Sequence, residues 1–211
     1  MDAILPAAIS GETAYFYGLV AGALSCVAFV PYARDTLRGT TRPQRSTWLI
    51  WAILASISFA TNIAEGASTS LSFIGVQVAW TGLIAILAIW RGKGRWLNPG
   101  DVRVLSLAAV GLGLWAMTEN AGYALLMSIS ISAIGALVTV TKSFREPHTE
   151  TWSTWAASFV AAGFGVLSVG QGDWLIMAYP LYLFGLYGVI LMALVLGRAH
   201  RQGLQAADIW D

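Results

Sequence analysis

Gln77, Trp80 and Thr81 lie three and four residues apart in an otherwise apolar stretch, the spacing that stacks side chains on one helix face. Ser128 and Ser132 repeat that spacing in a later stretch, Tyr179 and Tyr182 flank Pro180, and Asn62 lies near the end of another apolar run. A hydrogen-bonding side chain is costly in hydrocarbon, so it turns toward a bundle interior or a cavity. Asn62, Gln77, Trp80, Ser128, Ser132, Tyr179 and Tyr182 therefore form a candidate binding set, with hydrogen-bonding groups and flat aromatic faces suited to a small uncharged ring compound. The same residue types also join helices without binding anything. Both readings stand at this level.

The missing chemistry narrows the function further. Glu65, Glu119 and Asp173 fall at the ends of apolar runs, and no carboxylate or lysine lies in the middle of one. That argues against proton coupling, which draws on an intramembrane acid. Neither lysine lies in the last apolar run, which excludes a retinal Schiff base. His148, His200 and the single Cys26 are too scattered for a metal site. No G-x-S-x-G or H-E-x-x-H motif occurs. The expectation is a protein that is not an enzyme and has no metal or cofactor. A net charge of +1 gives no reason to expect nucleic acid.

These side chains need elements to hold them. Hydrophobic residues make up 57% of the chain and charged ones 11%, against roughly 25% charged in a soluble domain. The apolar residues fall into runs near the length a helix needs to cross hydrocarbon: Ala14–Tyr32, Trp48–Ala64, Leu71–Trp90, Val102–Met117, Gly122–Val140, Trp152–Val169 and Trp174–Leu196. With seven crossings, all 12 lysines and arginines fall on one side. The opposite face carries Asp2, Glu12, Glu65, Glu119 and Asp173. The positive-inside rule then places the N-terminus outside and the C-terminus in the cytoplasm. The first residues lack a basic region, so they read as a short lead into an uncleaved first helix rather than a signal peptide. Asp101 reads as an N-cap of the fourth helix, and anionic lipid contact is compatible with the basic loop before it.

The chain also repeats itself. Thr47-Trp48-Leu49-Ile50-Trp51 recurs as Thr151-Trp152-Ser153-Thr154-Trp155, 104 positions later, each copy four residues after a proline. The same offset matches Pro43 with Pro147, Ala52 with Ala156, Gly66 with Gly170 and Leu71 with Leu175. Three-helix units cross the membrane an odd number of times, so a helix between two copies restores their orientation. The expected architecture is an all-α integral membrane protein with seven transmembrane helices, a parallel 3+1+3 triple-helix-bundle repeat and N-out/C-in orientation. Residues 1–13 are the lead, 14–90 and 122–197 the two repeats, 91–121 the basic loop and linker helix, and 198–211 the tail. Ser46 or Thr47, and Thr149 or Thr151, are expected to cap helices 2 and 6. The paired tryptophans fit either an aromatic belt at headgroup depth or a gate, with Trp51 and Trp155 facing inward. Pro31 and Pro180 each remove a backbone donor and mark hinge positions. Gly18-x-x-x-Gly22 allows close helix approach, here for packing inside the bundle.

The stretch Phe29–Trp51, "FVPYARDTLRGTTRPQRSTWLIW", resembles the PQ-loop superfamily of SWEET sugar transporters, cystinosin-like exporters and PnuC-type vitamin carriers. A proline near the cytoplasmic end of helix 1 is followed by a basic, threonine-bearing loop and helix 2. Pro31-Tyr32 occupies the family's Pro-Gln position, while Pro43-Gln44 falls in the loop. In the second half, "GALVTVTKSFREPHTETW" has Val138 or a neighbour where the family often has proline. The resemblance covers nearly the whole chain and implies alternating access. It also implies a site built from tryptophans of helices 2 and 6 and asparagines of helices 3 and 7. Here helix 2 offers Phe59 and Asn62, helix 3 offers Gln77 and Trp80, and helix 7 has no asparagine.

The expectation is a SWEET-like facilitative transporter (a uniporter) of a small neutral solute such as a sugar, nucleoside or vitamin. It would be a multi-pass protein of the bacterial inner (plasma) membrane, with the lipid bilayer and the solute as partners. A homo-oligomer is compatible with this. The alternative is a non-transporting membrane receptor or assembly factor that uses its basic cytoplasmic loops.

Overall fold

The computed structural model describes residues 9–95, 99–170 and 174–207. They form seven α-helices: α1 (Gly11–Arg38), α2 (Arg45–Ala64), α3 (Leu71–Arg91), α4 (Pro99–Thr118), α5 (Ala121–Arg145), α6 (Trp152–Leu167) and α7 (Trp174–Ala207). A single 3-10 turn, Pro147–Thr149, precedes α6. Five helices (all but α4 and α6) are long and apolar enough to cross a membrane, so the chain is a multi-pass membrane protein. The 16 residues of α6 reach only about 24 Å.

The outward faces fit this environment. Val27, Ile63, Ile86, Leu137, Met192 and Val195 are all more than half exposed, which in water would leave a large unpartnered apolar surface. Inside, α3 packs against both α1 and α2, and α7 packs against both α5 and α6. The two triplets meet where α1 lies on α6 and α2 lies on α5, while α4 rests mainly on α5.

The helix ends sort into two groups. At the basic end, the α1–α2 and α3–α4 loops join in a short bridge: Lys93 donates its N–H to the Pro43 carbonyl (2.8 Å) and Arg45 donates to the Lys93 carbonyl (3.0 Å). Lys93 also pairs with Glu146 after α5 (2.8 Å), and an Arg201 guanidinium N–H donates to the Arg145 carbonyl. The bridge supplies the Arg45 N–H with its acceptor, so the expected caps at Ser46 and Thr47 are not used. The N-cap is Gln44, without a side-chain bond. Thr151 is the N-cap of α6 but its hydroxyl points elsewhere, and Thr149 bonds back to the Glu146 carbonyl. Asp101 is likewise no N-cap, because α4 already begins at Pro99.

At the other end, Thr69 donates its hydroxyl to the Ser168 carbonyl (2.6 Å), joining the α2–α3 loop to the end of α6. Gly66 (φ 77°) and Gly170 (φ 74°) follow α2 and α6 in the left-handed conformation that glycine adopts without penalty. Gly18 lies so close to the Thr69 carbonyl that a Cβ would collide with it. The Gly18-x-x-x-Gly22 face is therefore spent on packing inside the bundle.

Candidate functional site

Three of the four repeated tryptophans are buried together. The rings of Trp48, Trp51 and Trp155 lie 5.4–6.5 Å apart, centroid to centroid. Tyr32 touches Trp48 at 5.1 Å and Trp155 at 6.1 Å, and Tyr187 joins from α7 at 5.8 Å from Trp155. Edge-to-face and tilted pairs of this kind add about 0.5–1.5 kcal/mol each beyond burial. Of the four, only Trp152 faces outward, at 44% exposed, as an aromatic belt would need. The two copies differ because α2 begins three residues before Trp48, whereas the turn at Pro147–Thr149 delays α6 until Trp152 itself.

Against this cluster lies a narrow void of about 20 Å³, roughly the room a water molecule needs. Trp51, Trp155 and Tyr187 line it with Thr81, Ser128 and Ser132. Phe29, Trp48, Tyr179 and aliphatic side chains of α2 and α7 complete the wall. The Trp51 indole N–H finds no acceptor among the described residues. A buried donor left in this state costs about 1–3 kcal/mol.

The candidate residues divide around this void. Ser128, Ser132, Tyr179, Trp51 and Trp155 line it. Tyr182 stands behind it, donating its hydroxyl to Ser132 (2.6 Å). Gln77 is buried outside the wall, where its amide donates to Ser25 (3.2 Å) and accepts from the Tyr187 hydroxyl (2.8 Å). It thereby ties α1, α3 and α7 together. Trp80 stacks on Phe29 at 5.6 Å rather than facing the void. Asn62 bonds back to the Ser58 carbonyl (2.8 Å) within its own helix. Pro31 and Pro180 lie inside α1 and α7 without ending either helix. Tyr187 escaped the sequence reading, although its spacing from Tyr179 and Leu183, four residues at a time, places all three on one face.

On the basic side of the cluster lies a polar layer. The Thr41 and Thr151 hydroxyls are 2.7 Å apart across the two triplets, and Thr151 donates to an Asp35 carboxylate oxygen (3.0 Å). Glu150 is nearly buried. One of its oxygens pairs with Lys142 (2.6 Å) and the other accepts the Trp155 indole N–H (3.1 Å). Lys142 also donates to the Arg42 carbonyl (2.8 Å). A buried ion pair persists only when such extra bonds satisfy its remaining groups. This arrangement supplies them, and it fixes the Trp155 ring over the void.

Among the described residues, no group of three or more histidine, cysteine or acidic side chains comes together to hold a metal ion. No protein-family model, curated protein or solved structure matches the chain.

Proposed function

We propose that the protein is a SWEET-like facilitative transporter of a small neutral solute, a sugar, nucleoside or vitamin, in the inner (plasma) membrane of a bacterium. The observation that carries this reading is the aromatic and hydroxyl-lined void, closed on both sides by contacts between the triplets. Thr41 meets Thr151 on the basic side, and Thr69 meets Ser168 on the other. Contacts of this kind are what alternating access must break one side at a time.

The packing supports a parallel 3+1+3 repeat. The pairs α1·α6 and α2·α5 are those that an axis along the membrane normal would exchange, with α3 and α7 central to their triplets. In this reading α4 and the short α6 also cross, the basic end is cytoplasmic and the N-terminus is outside. The void, at about 20 Å³, represents an occluded, empty state that widens when Trp48, Trp51 and Trp155 move apart. The unpartnered Trp51 N–H then offers a hydrogen bond to an acceptor on the solute.

The test is uptake into sealed vesicles holding the purified protein, using sugars, nucleosides and vitamins in turn. Saturable uptake that is unchanged by an imposed pH gradient is expected, with loss in Trp51→Ala. Absence of counterflow with every solute would overturn transport and favour the receptor or assembly-factor reading. A rate that follows the pH gradient would overturn the uniport mechanism.

A further inference from the structure

The basic end carries a groove that transport does not use. It has a volume of about 440 Å³ and runs along the outer side of α5. Its lining includes Leu137 and Val138, 63% and 52% exposed, together with the charged Lys93, Arg145 and Glu146. Leu137, Thr141 and Arg145 follow one another at four-residue intervals, so they share a helix face. Eight residues of helix put the Arg145 backbone about 12 Å from that of Leu137. The result is an apolar stripe that ends in a cationic rim, with the Thr141 position between them.

The charges at the rim are not all spent. The Lys93 ammonium pairs with Glu146 and holds that carboxyl below its ordinary range, while Lys142 is taken by Glu150. The Arg145 side chain has no hydrogen bond or ion pair among the described residues. Beyond Lys93 a second recess, about 290 Å³, brings in Arg42 and Arg91 beside the exposed Trp90, with no carboxylate in its wall. A small cationic rim at the end of a lipid-facing stripe complements an ionised phosphate linked to hydrocarbon chains. Basic pockets of this kind beside membrane helices take anionic headgroups.

We propose that this groove binds an anionic phospholipid, with the phosphate at Arg145 and Lys93 and an acyl chain along Leu137 and Val138. The site requires only that the helices stand in a bilayer, and it is independent of transport.

The test uses the full chain purified in a neutral detergent, with bound lipid read by native mass spectrometry. Phosphatidylglycerol should be retained in preference to phosphatidylcholine. Glycerol 3-phosphate at equal concentration should not compete, because it lacks the chains. Arg145→Gln should weaken phosphatidylglycerol binding about fivefold, the factor expected for one cation near a membrane surface. Arg34→Gln, at an exposed arginine of α1 outside the groove, should leave it unchanged. Equal retention of the two lipids overturns the proposal, and so does an equal loss in the Arg34 variant. Competition by glycerol 3-phosphate as strong as that of the lipid assigns the groove to a soluble anion and overturns the lipid. The comparison of lipids on the unaltered chain holds even if a variant folds poorly.

Discussion

Among individual residues, the second tryptophans of the two copies, Trp51 and Trp155, have opposite electrostatic circumstances. The Trp155 N–H is held by Glu150, and the Trp51 N–H is held by nothing described. Trp155→Phe should therefore lower stability, because it removes an acceptor's partner from a buried charged group, at about 1.5–3 kcal/mol. Trp51→Phe removes an unsatisfied donor and should cost less. Denaturant unfolding in detergent measures both, and the idea fails if the Trp51 variant is the weaker protein. The Glu150–Lys142 pair makes a second prediction. Glu150→Gln strands a largely buried ammonium and should cost about 3–5 kcal/mol. Combining it with Lys142→Met should restore most of that. A double variant worse than the single one would mean that the pair is not the relevant interaction.

At the scale of whole elements, the contact between triplets depends on small residues set against large ones. A Cβ on Gly165 of α6 would lie 2.7 Å from the ring of Phe73 in α3, and Phe73 is fully buried. Gly165→Ala should thus cost about 1–3 kcal/mol by overpacking. Pairing it with Phe73→Leu should cost less than the sum of the two single changes, since neighbours in contact are coupled. Strict additivity in thermal unfolding would refute the contact. Hydropathy located all seven helices, because a run of apolar residues is a local property. It placed helix ends less well: α1 runs to Arg38 and α7 to Ala207, past the apolar runs that end at Tyr32 and Leu196, since the helical backbone bonds continue under charged side chains. The caps failed for a different reason. The acceptor for Arg45 is the Lys93 carbonyl, on a loop that lies far away in the sequence.

For the molecule as a whole, the proposed orientation rests on the collection of basic residues at one end. Cys26 is exposed on α1, so Cys26→Ala gives a safe background for topology labelling. A cysteine in place of Glu65 should react with an impermeant maleimide added outside intact cells, whereas one in place of Arg198 should react only after the membrane is opened. Labelling of both from the same side would overturn the odd number of crossings between them. Labelling of the Arg198 position alone would invert the N-out reading.

Composition and periodicity by themselves determined that this chain is helical, where its helices lie and that it belongs in a membrane. Those properties rest on side-chain transfer into hydrocarbon and need no knowledge of neighbours. Only the tertiary structure decided which polar groups meet the void and which join helices. Gln77 and Ser128 look alike as polar residues in apolar runs, yet Gln77 is consumed by Ser25 and Tyr187 while Ser128 lines the void. A hydrogen bond depends on a partner a few ångströms away in space, and spacing along the chain carries no record of that partner. The Trp48 and Trp152 positions make the same point: the first tryptophan of the motif is buried in one copy and exposed in the other, because the preceding turn sets where each helix starts.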